Sequence, residues 1–203
     1  MAILPSIHID GAAENRDGFR FRSGWPSLDL TATLIGRLKP KQTDLLAAPG
    51  DLDRWMIASG LAGASPNSSV EDLEEARLLR ESIYAIATHY IHKDAVPPKA
   101  RKLLNDMAGR DAAVPELAAN GTMRLKGAAP GLLTVIAREA VGLFGAGVSE
   151  RIRQCEAKPC AILFVDFSRS GDRRWCSMAS CGNKAKVAEY RRRKRAASTN
   201  SSA

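Results

Sequence analysis

The sequence predicts a mainly α chain with a small β-hairpin, in which a helical N-terminal domain is followed by a C-terminal hairpin-helix module. Three observations predict it. Apolar residues recur at three- and four-residue spacing in five stretches of the first 150 positions, each bounded by capping or breaking residues. All four cysteines fall within 27 residues near the other end. Charge is divided just as unevenly: residues 1–150 carry 17 Lys and Arg against 18 Asp and Glu, whereas residues 151–203 carry 13 against 4. With 203 residues, 45% apolar and 26% charged, the chain has the means to bury one ordinary core and carry a small appended unit.

The elements follow in order. Ser27 is placed to cap a helix through about Lys39, with Leu30, Leu34 and Leu38 at four-residue spacing and Leu28, Thr31 and Ile35 beside them, and Pro40 stops it. Asp51 caps a short helix carrying Leu52, Trp55 and Met56, which Gly60 ends. The clearest helix follows, with Ser68 and Glu71 at capping-box spacing and Ala76, Leu79, Ile83, Ile86, Ala87 and Tyr90 on one face as far as His92. Its His89 and His92 have a spacing that suits two ligands, but no third ligand is near, and histidines at a helix C-terminus are also favoured by the dipole. Pro97-Pro98 opens a further helix with Ala100, Leu103, Leu104 and Met107 inward. Asn120-Gly121 is a type I′ turn signal between two short strands, because both residues tolerate positive φ. From Pro130 to Phe144 a last apolar face carries Leu133, Ile136, Ala137, Ala140, Val141 and Phe144, with Gly145 and Gly147 interrupting it. SERIRQC adds a turn or two of helix before the cysteines.

This front part contains no phosphate loop, nucleophile elbow or dinucleotide fingerprint. Asp10, Asp29, Asp44 and Asp51 read as caps and surface groups rather than acid–base partners. We therefore expect no enzyme. No run approaches the roughly 18 apolar residues of a membrane span, and no basic region followed by an apolar run opens the chain, so the expected location is cytoplasmic.

Cys155 and Cys160 are separated by four residues, Cys176 and Cys181 by four, and the pairs by fifteen. Thiolates within one short turn can supply two ligands to a tetrahedral Zn2+ ion, and a second such turn completes the shell. AILFVDF, the turn sequence SRSGD and the returning RRW read as the hairpin that brings the pairs together, giving a zinc-ribbon or treble-clef-like unit. Buried free thiols, two disulfides and an iron–sulfur cluster are the competing readings. After Cys181, Asn183 is placed to cap a helix that carries Lys184, Lys186, Arg191, Arg192, Arg193, Lys194 and Arg195 around its surface, with Val187 and Tyr190 on one side. Arg169, Arg173 and Arg174 extend the basic surface. Such a helix finds few partners of its own, while a phosphate backbone offers many. Trp175 suits either base stacking or packing over the metal site.

The run CAILFVDFSRSGDRRWCSMASCGNKAKVAEYRRRKR resembles the CGNR zinc finger, and WPSLDL, TDLLAAPGDLDRWMIASGL and ARLLRESIYAI resemble the associated ABATE domain. The resemblance implies a bacterial, stress-induced transcription regulator whose finger binds zinc through Cys155, Cys160, Cys176 and Cys181 and engages nucleic acid. Lys184 stands where the name-giving arginine would, keeping the charge but losing the bidentate fork. The expected organisation is a helical ABATE-like domain over 1–150, a zinc finger over 151–196 and a disordered tail over 197–203. The expected partner is nucleic acid, double-stranded DNA ahead of RNA, with the front domain forming a homodimer or sensing a small-molecule effector. A zinc-stabilised adaptor for an acidic protein is the alternative.

Overall fold

In the computed structural model, residues 14–119 and 121–200 are described, with side chains as far as residue 195. Asp10, Asn120 and residues 201–203 lie outside the described residues. The described residues open with a two-stranded antiparallel ribbon, β1 (Asn15–Arg16) and β2 (Phe19–Arg20). Helix α1 (Pro26–Thr31) then leads into a second ribbon, β3 (Leu34–Ile35) with β4 (Thr43–Asp44). Helices α2 (Pro49–Ala58), α3 (Val70–His92) and α4 (Pro98–Ala108) follow. The expected hairpin is present as β5 (Val114–Leu117) and β6 (Met123–Lys126), with Val114 opposite Lys126 and Leu117 opposite Met123. Helix α5 (Ala129–Gly145) completes the helical part.

Helix α3 packs against α1, α2, α4 and α5, and α5 lies on α1 and α4. The periodic residues explain this: Leu79, Ile83, Leu133 and Ile136 are essentially inaccessible to solvent, as are Leu52, Trp55 and Met56 of α2. Tyr90 and Phe144 stack at the far end of α3 and α5, with ring centroids 5.6 Å apart. Val141, expected on the inward face, is exposed instead, because the buried stripe of α5 is already filled by its neighbours at Ala137, Ala140 and Phe144.

Four local expectations are corrected. The first helix ends at Thr31, not near Lys39. The Thr31 and Thr33 hydroxyls donate to the carbonyls of Leu28 and Leu30, and Gly36 adopts φ +75°, which lets the chain reverse into the β3–β4 ribbon. Ser27 lies inside the helix rather than at its cap, and its N–H donates to Glu139 Oε2 at 2.8 Å. The capping box of α3 is Ser69 with Asp72. Ser68 is diverted: its N–H and hydroxyl both donate to Asp53 Oδ1. Asp51 acts from the third position of α2, accepting the N–H groups of Ala47 and Ala48.

After α5, Gly147 takes φ +74° and a 3-10 turn over Val148–Arg151 feeds β7 (Ile152–Gln154). Strand β7 pairs antiparallel with β8 (Leu163–Val165), Ile152 facing Val165 and Gln154 facing Leu163. A π-helical turn over Met178–Gly182 runs directly into α6 (Asn183–Asn200). Helix α6 thus continues beyond Arg195 and through the first part of the expected tail. No helix among the described residues is long and apolar enough to cross a membrane.

Candidate metal centre and basic surface

The expected hairpin partner is corrected first. RRW does not return as a strand; β8 pairs with β7, which precedes the first cysteine. The buried Asp166 explains the change, since its carboxylate accepts the Ser168 N–H and hydroxyl and the Arg173 N–H. This ties residues 167–173 into a closed loop, after which the Arg174 carbonyl accepts the Glu156 N–H instead of continuing a ladder with β8. Cys155 and Cys160 consequently lie in the β7–β8 connection, where the Cys155 N–H donates to the Ile162 carbonyl and the Cys160 N–H to that of Ala157. Cys176 and Cys181 come from the start of the helical segment. Its N-cap is Ser177, whose hydroxyl accepts the Ser180 N–H, while Asn183 is already in helical conformation and does not act as an N-cap.

The four sulfur atoms lie within 4.8 Å of one another. Cys176 Sγ is 3.9 Å from Cys160 Sγ and 3.7 Å from Cys181 Sγ, and all four thiols are free. Metal–sulfur bonds near 2.3 Å in a tetrahedron place sulfurs about 3.8 Å apart, so this quartet already has the dimensions of a coordination shell. Disulfides are a poor description of such spacing. The surroundings suit thiolates: backbone N–H groups of Cys176 and Ala157 reach the Cys155 sulfur, and that of Ile162 reaches Cys160. The Cys160 and Cys176 thiols hold the Cys155 pKa far below its usual value, and the Cys155 thiolate in turn pushes both of theirs up. Further thiolates cannot form so close together without a cation between them.

Sequence reasoning missed two members of this environment. Ala32, from the turn after α1, packs within the same buried cluster as Cys155, Cys176, Cys181, Ile162 and Phe164. Arg22, following β2, brings Nη1 to 4.0 Å from Cys176 Sγ, with its side chain 7% exposed. Neither stands near a cysteine in sequence, so only the fold reveals them. Among the described residues, the cysteines are the group of three or more ligand-bearing side chains that converge; His89 and His92 join no such group.

The basic residues separate into two kinds. Arg173 turns inward: its guanidinium donates to the carbonyls of Trp175 and Cys176 and lies 4.6 Å from the Phe164 ring centroid. It braces the metal loop, a role beyond the nucleic-acid contact expected of it. Arg174 pairs with Glu156 at 2.6 Å and covers the half-buried Trp175, which belongs to the cysteine cluster and therefore packs. Arg169 is exposed at the loop tip. Lys184, Lys186, Arg191, Arg192, Arg193, Lys194 and Arg195 are all exposed along α6, with Glu189 bridging Arg192 and Arg193. Val187 and Tyr190 are exposed as well. Steps of about 100° per residue place Lys184, Arg191, Arg192 and Arg195 on one side, opposite Tyr190.

The scattered carboxylates of the front domain have structural duties. Asp44 receives both Nη atoms of Arg80. Asp29 accepts the N–H groups of Arg22 and Ser23 at 2.9 and 3.0 Å, and burial pushes its pKa up to about 6.

A helical domain carrying a four-cysteine metal module is thus the class of protein that fold and site define. Residues 151–194 match the CGNR zinc finger. Residues 24–147 match the ABATE family, described as "Putative stress-induced transcription regulator". The chain belongs to the ABATE family and carries a CGNR zinc finger after that domain, the two families and the order that the motifs imply. No curated protein matches the chain.

Proposed function

We propose that the protein is a cytoplasmic, zinc-dependent DNA-binding transcription regulator, in which α6 engages the DNA and the front domain dimerises or receives the signal. The observation that carries this reading is α6 itself. It packs mainly on the π-helical turn at its own start, exposes nearly every residue from Lys184 to Arg195, and none of its described side chains joins a buried apolar cluster that would account for that concentration of cations. Counterion release from a phosphate backbone is the interaction such a surface serves best. Zinc is the ion that the four-thiolate shell suits, and holding it fixes Cys181, hence the first turn of α6, against the hairpin. The reading assigns the protein no catalytic step.

Fluorescence anisotropy against duplex DNA and single-stranded RNA over a range of salt tests this reading. Binding should weaken with salt at a log–log slope of roughly −0.9 per phosphate contact on duplex DNA. Changing Arg191, Arg192 and Arg195 together to Ala should flatten that slope by about two or three units and leave the metal content unchanged. Tighter binding of RNA would redirect the reading to RNA. Unchanged affinity and slope would place the adaptor function ahead, with Val187 and Tyr190 as its apolar contacts.

A further inference from the structure

A cleft of about 890 Å³ lies along the seam between the front domain and the module. Among the described residues, Arg20, Arg22, Arg37, Lys39, Lys158 and Lys184 line it, and no Asp or Glu does. Two of these cations have other duties: Arg22 faces Glu14 and the Cys176 sulfur, and Arg37 forms a two-point pair with Glu81. Among the described residues, the side chains of Arg20, Lys39, Lys158 and Lys184 form no ion pair. Arg20 and Lys39 come from the front domain's ribbons, Lys158 from the β7–β8 connection and Lys184 from the first turn of α6. Like charges converging on one concavity repel one another and focus a positive potential there, which an anion relieves.

The geometry of α6 indicates which anion. Lys184, Ala185 and Ala188 form its cleft-lining face, and steps of about 100° carry that face on to Arg191, Arg192 and Arg195. Lys184 and Arg195 are about 16 Å apart along the axis. Cleft and helix therefore form one continuous basic track, and Ala185 and Ala188 leave room for a chain to lie close to the helix. A compact phosphate ester would occupy the cleft and leave the rest of the track unused, whereas a phosphodiester chain uses its whole length.

We infer that the cleft is the second half of the nucleic-acid site, where Arg20 and Lys39 of the front domain grip phosphodiester groups of the strand that runs along α6. The inference rests on the DNA-binding reading and adds to it a phosphate contact made by the domain outside the zinc finger.

The test uses the full-length, zinc-loaded protein carrying Arg20→Gln and Lys39→Gln together. A control carrying Lys99→Gln and Lys126→Gln makes the same change in net charge away from the cleft. Anisotropy with a duplex DNA should show about tenfold weaker binding and a slope flatter by one to two units for the cleft pair. The control pair should stay within about twofold of the parent protein, and all three proteins should retain equal zinc content and melting temperature. Parent-like affinity and slope in the cleft pair, or an equal loss in the control, would overturn the inference while leaving the reading of α6 intact. Parent-like DNA binding together with thermal stabilisation by AMP or inorganic phosphate that the cleft pair abolishes would assign the cleft to a free phosphate ester instead. If the parent protein bound no nucleic acid at all, the functional reading and this inference would fail together, a result distinct from the others.

Discussion

The front domain buries Trp55, Leu79, Ile83 and Leu133 among side chains from several helices, whereas the module's own buried cluster is Ile162, Phe164, three cysteines and the borrowed Ala32. Apolar burial at about 25 cal/mol per Å² can sustain the first. The second has few such residues, and its four clustered cysteines suit a metal as the rest of its core. The seam between them is nevertheless well built. Ile152, Leu163 and Val165 of the β7–β8 hairpin belong to the front domain's core, the Val165 N–H donates to the Ser23 carbonyl, and Gln154 donates to the Tyr84 hydroxyl at 3.1 Å. The hairpin thus has one apolar face in each unit. The two family matches meet near residue 150, but packing continues across that point. A module built around four cysteines is in this way held to a scaffold built around apolar helices.

Loss of the metal should separate the two regions most sharply. Cys176→Ser, or chelation of the parent protein, should remove one zinc per chain and unfold the β7–β8 connection and α6, at a cost on the order of 10 kcal/mol to the module. Amide exchange should remain slow in α3 and α5. Retention of full protection in residues 155–182 after chelation would break the comparison, because the module would then be self-sufficient.

The seam itself is tested by Leu163→Ala. Leu163 is completely buried in the front domain's core although it lies within the zinc finger, so its truncation should cost about 2–5 kcal/mol of global stability. Denaturant unfolding of the zinc-loaded protein checks this. A loss confined to α6, with unchanged protection of α3, would mean that the hairpin belongs to the module alone.

A third expectation concerns pH and the front domain only. Burial pushes Glu139 up to about 7, against the hydrogen bond from the Ser27 N–H, and the Asp29 charge raises it further. A carboxyl group whose folded pKa lies above its unfolded value contributes most below the unfolded pKa, near 4.5, and loses that contribution as pH rises through the folded pKa. Parent stability should therefore fall, relative to Glu139→Gln, between about pH 4.5 and 8. At pH 8 the Gln variant should be more stable by roughly 1–3 kcal/mol. Melting curves at several pH values measure the difference, and parallel pH profiles for the two proteins would refute it.

The smallest effect is expected on α6. Glu189 holds Arg192 and Arg193 in exposed pairs, which contribute little to stability. Glu189→Gln should shift the melting temperature by no more than about 1 °C, while DNA binding tightens and its salt slope steepens as an acidic neighbour is removed from the basic track. Unchanged binding would show that the phosphate contacts lie elsewhere on the helix.

Much of the front domain was legible because helical periodicity is local: Ala76 to Ala87 on α3 and Leu133 to Phe144 on α5 advertise their buried faces without reference to anything else. The cysteine quartet was legible because ligand chemistry restricts spacing, and the basic character of α6 because charge is a property of composition. The local errors arose where a side chain had a distant claim on it. Leu34 and Leu38 fit a helical repeat, yet the chain turns at Gly36, and Ser68 fits a cap, yet Asp53 takes its donors. Arg173 reads as one cation of a basic patch, and the tertiary structure adds Phe164 and the carbonyls of Trp175 and Cys176 beneath it. The pairing of β8 with β7, the approach of Arg22 and Ala32 to the cysteines, and the convergence of Arg20 and Lys39 on Lys184 belong to the tertiary structure alone. They join residues more than a hundred positions apart in all but the strand pairing, and no local periodicity or spacing encodes which distant surfaces will meet once the core has closed.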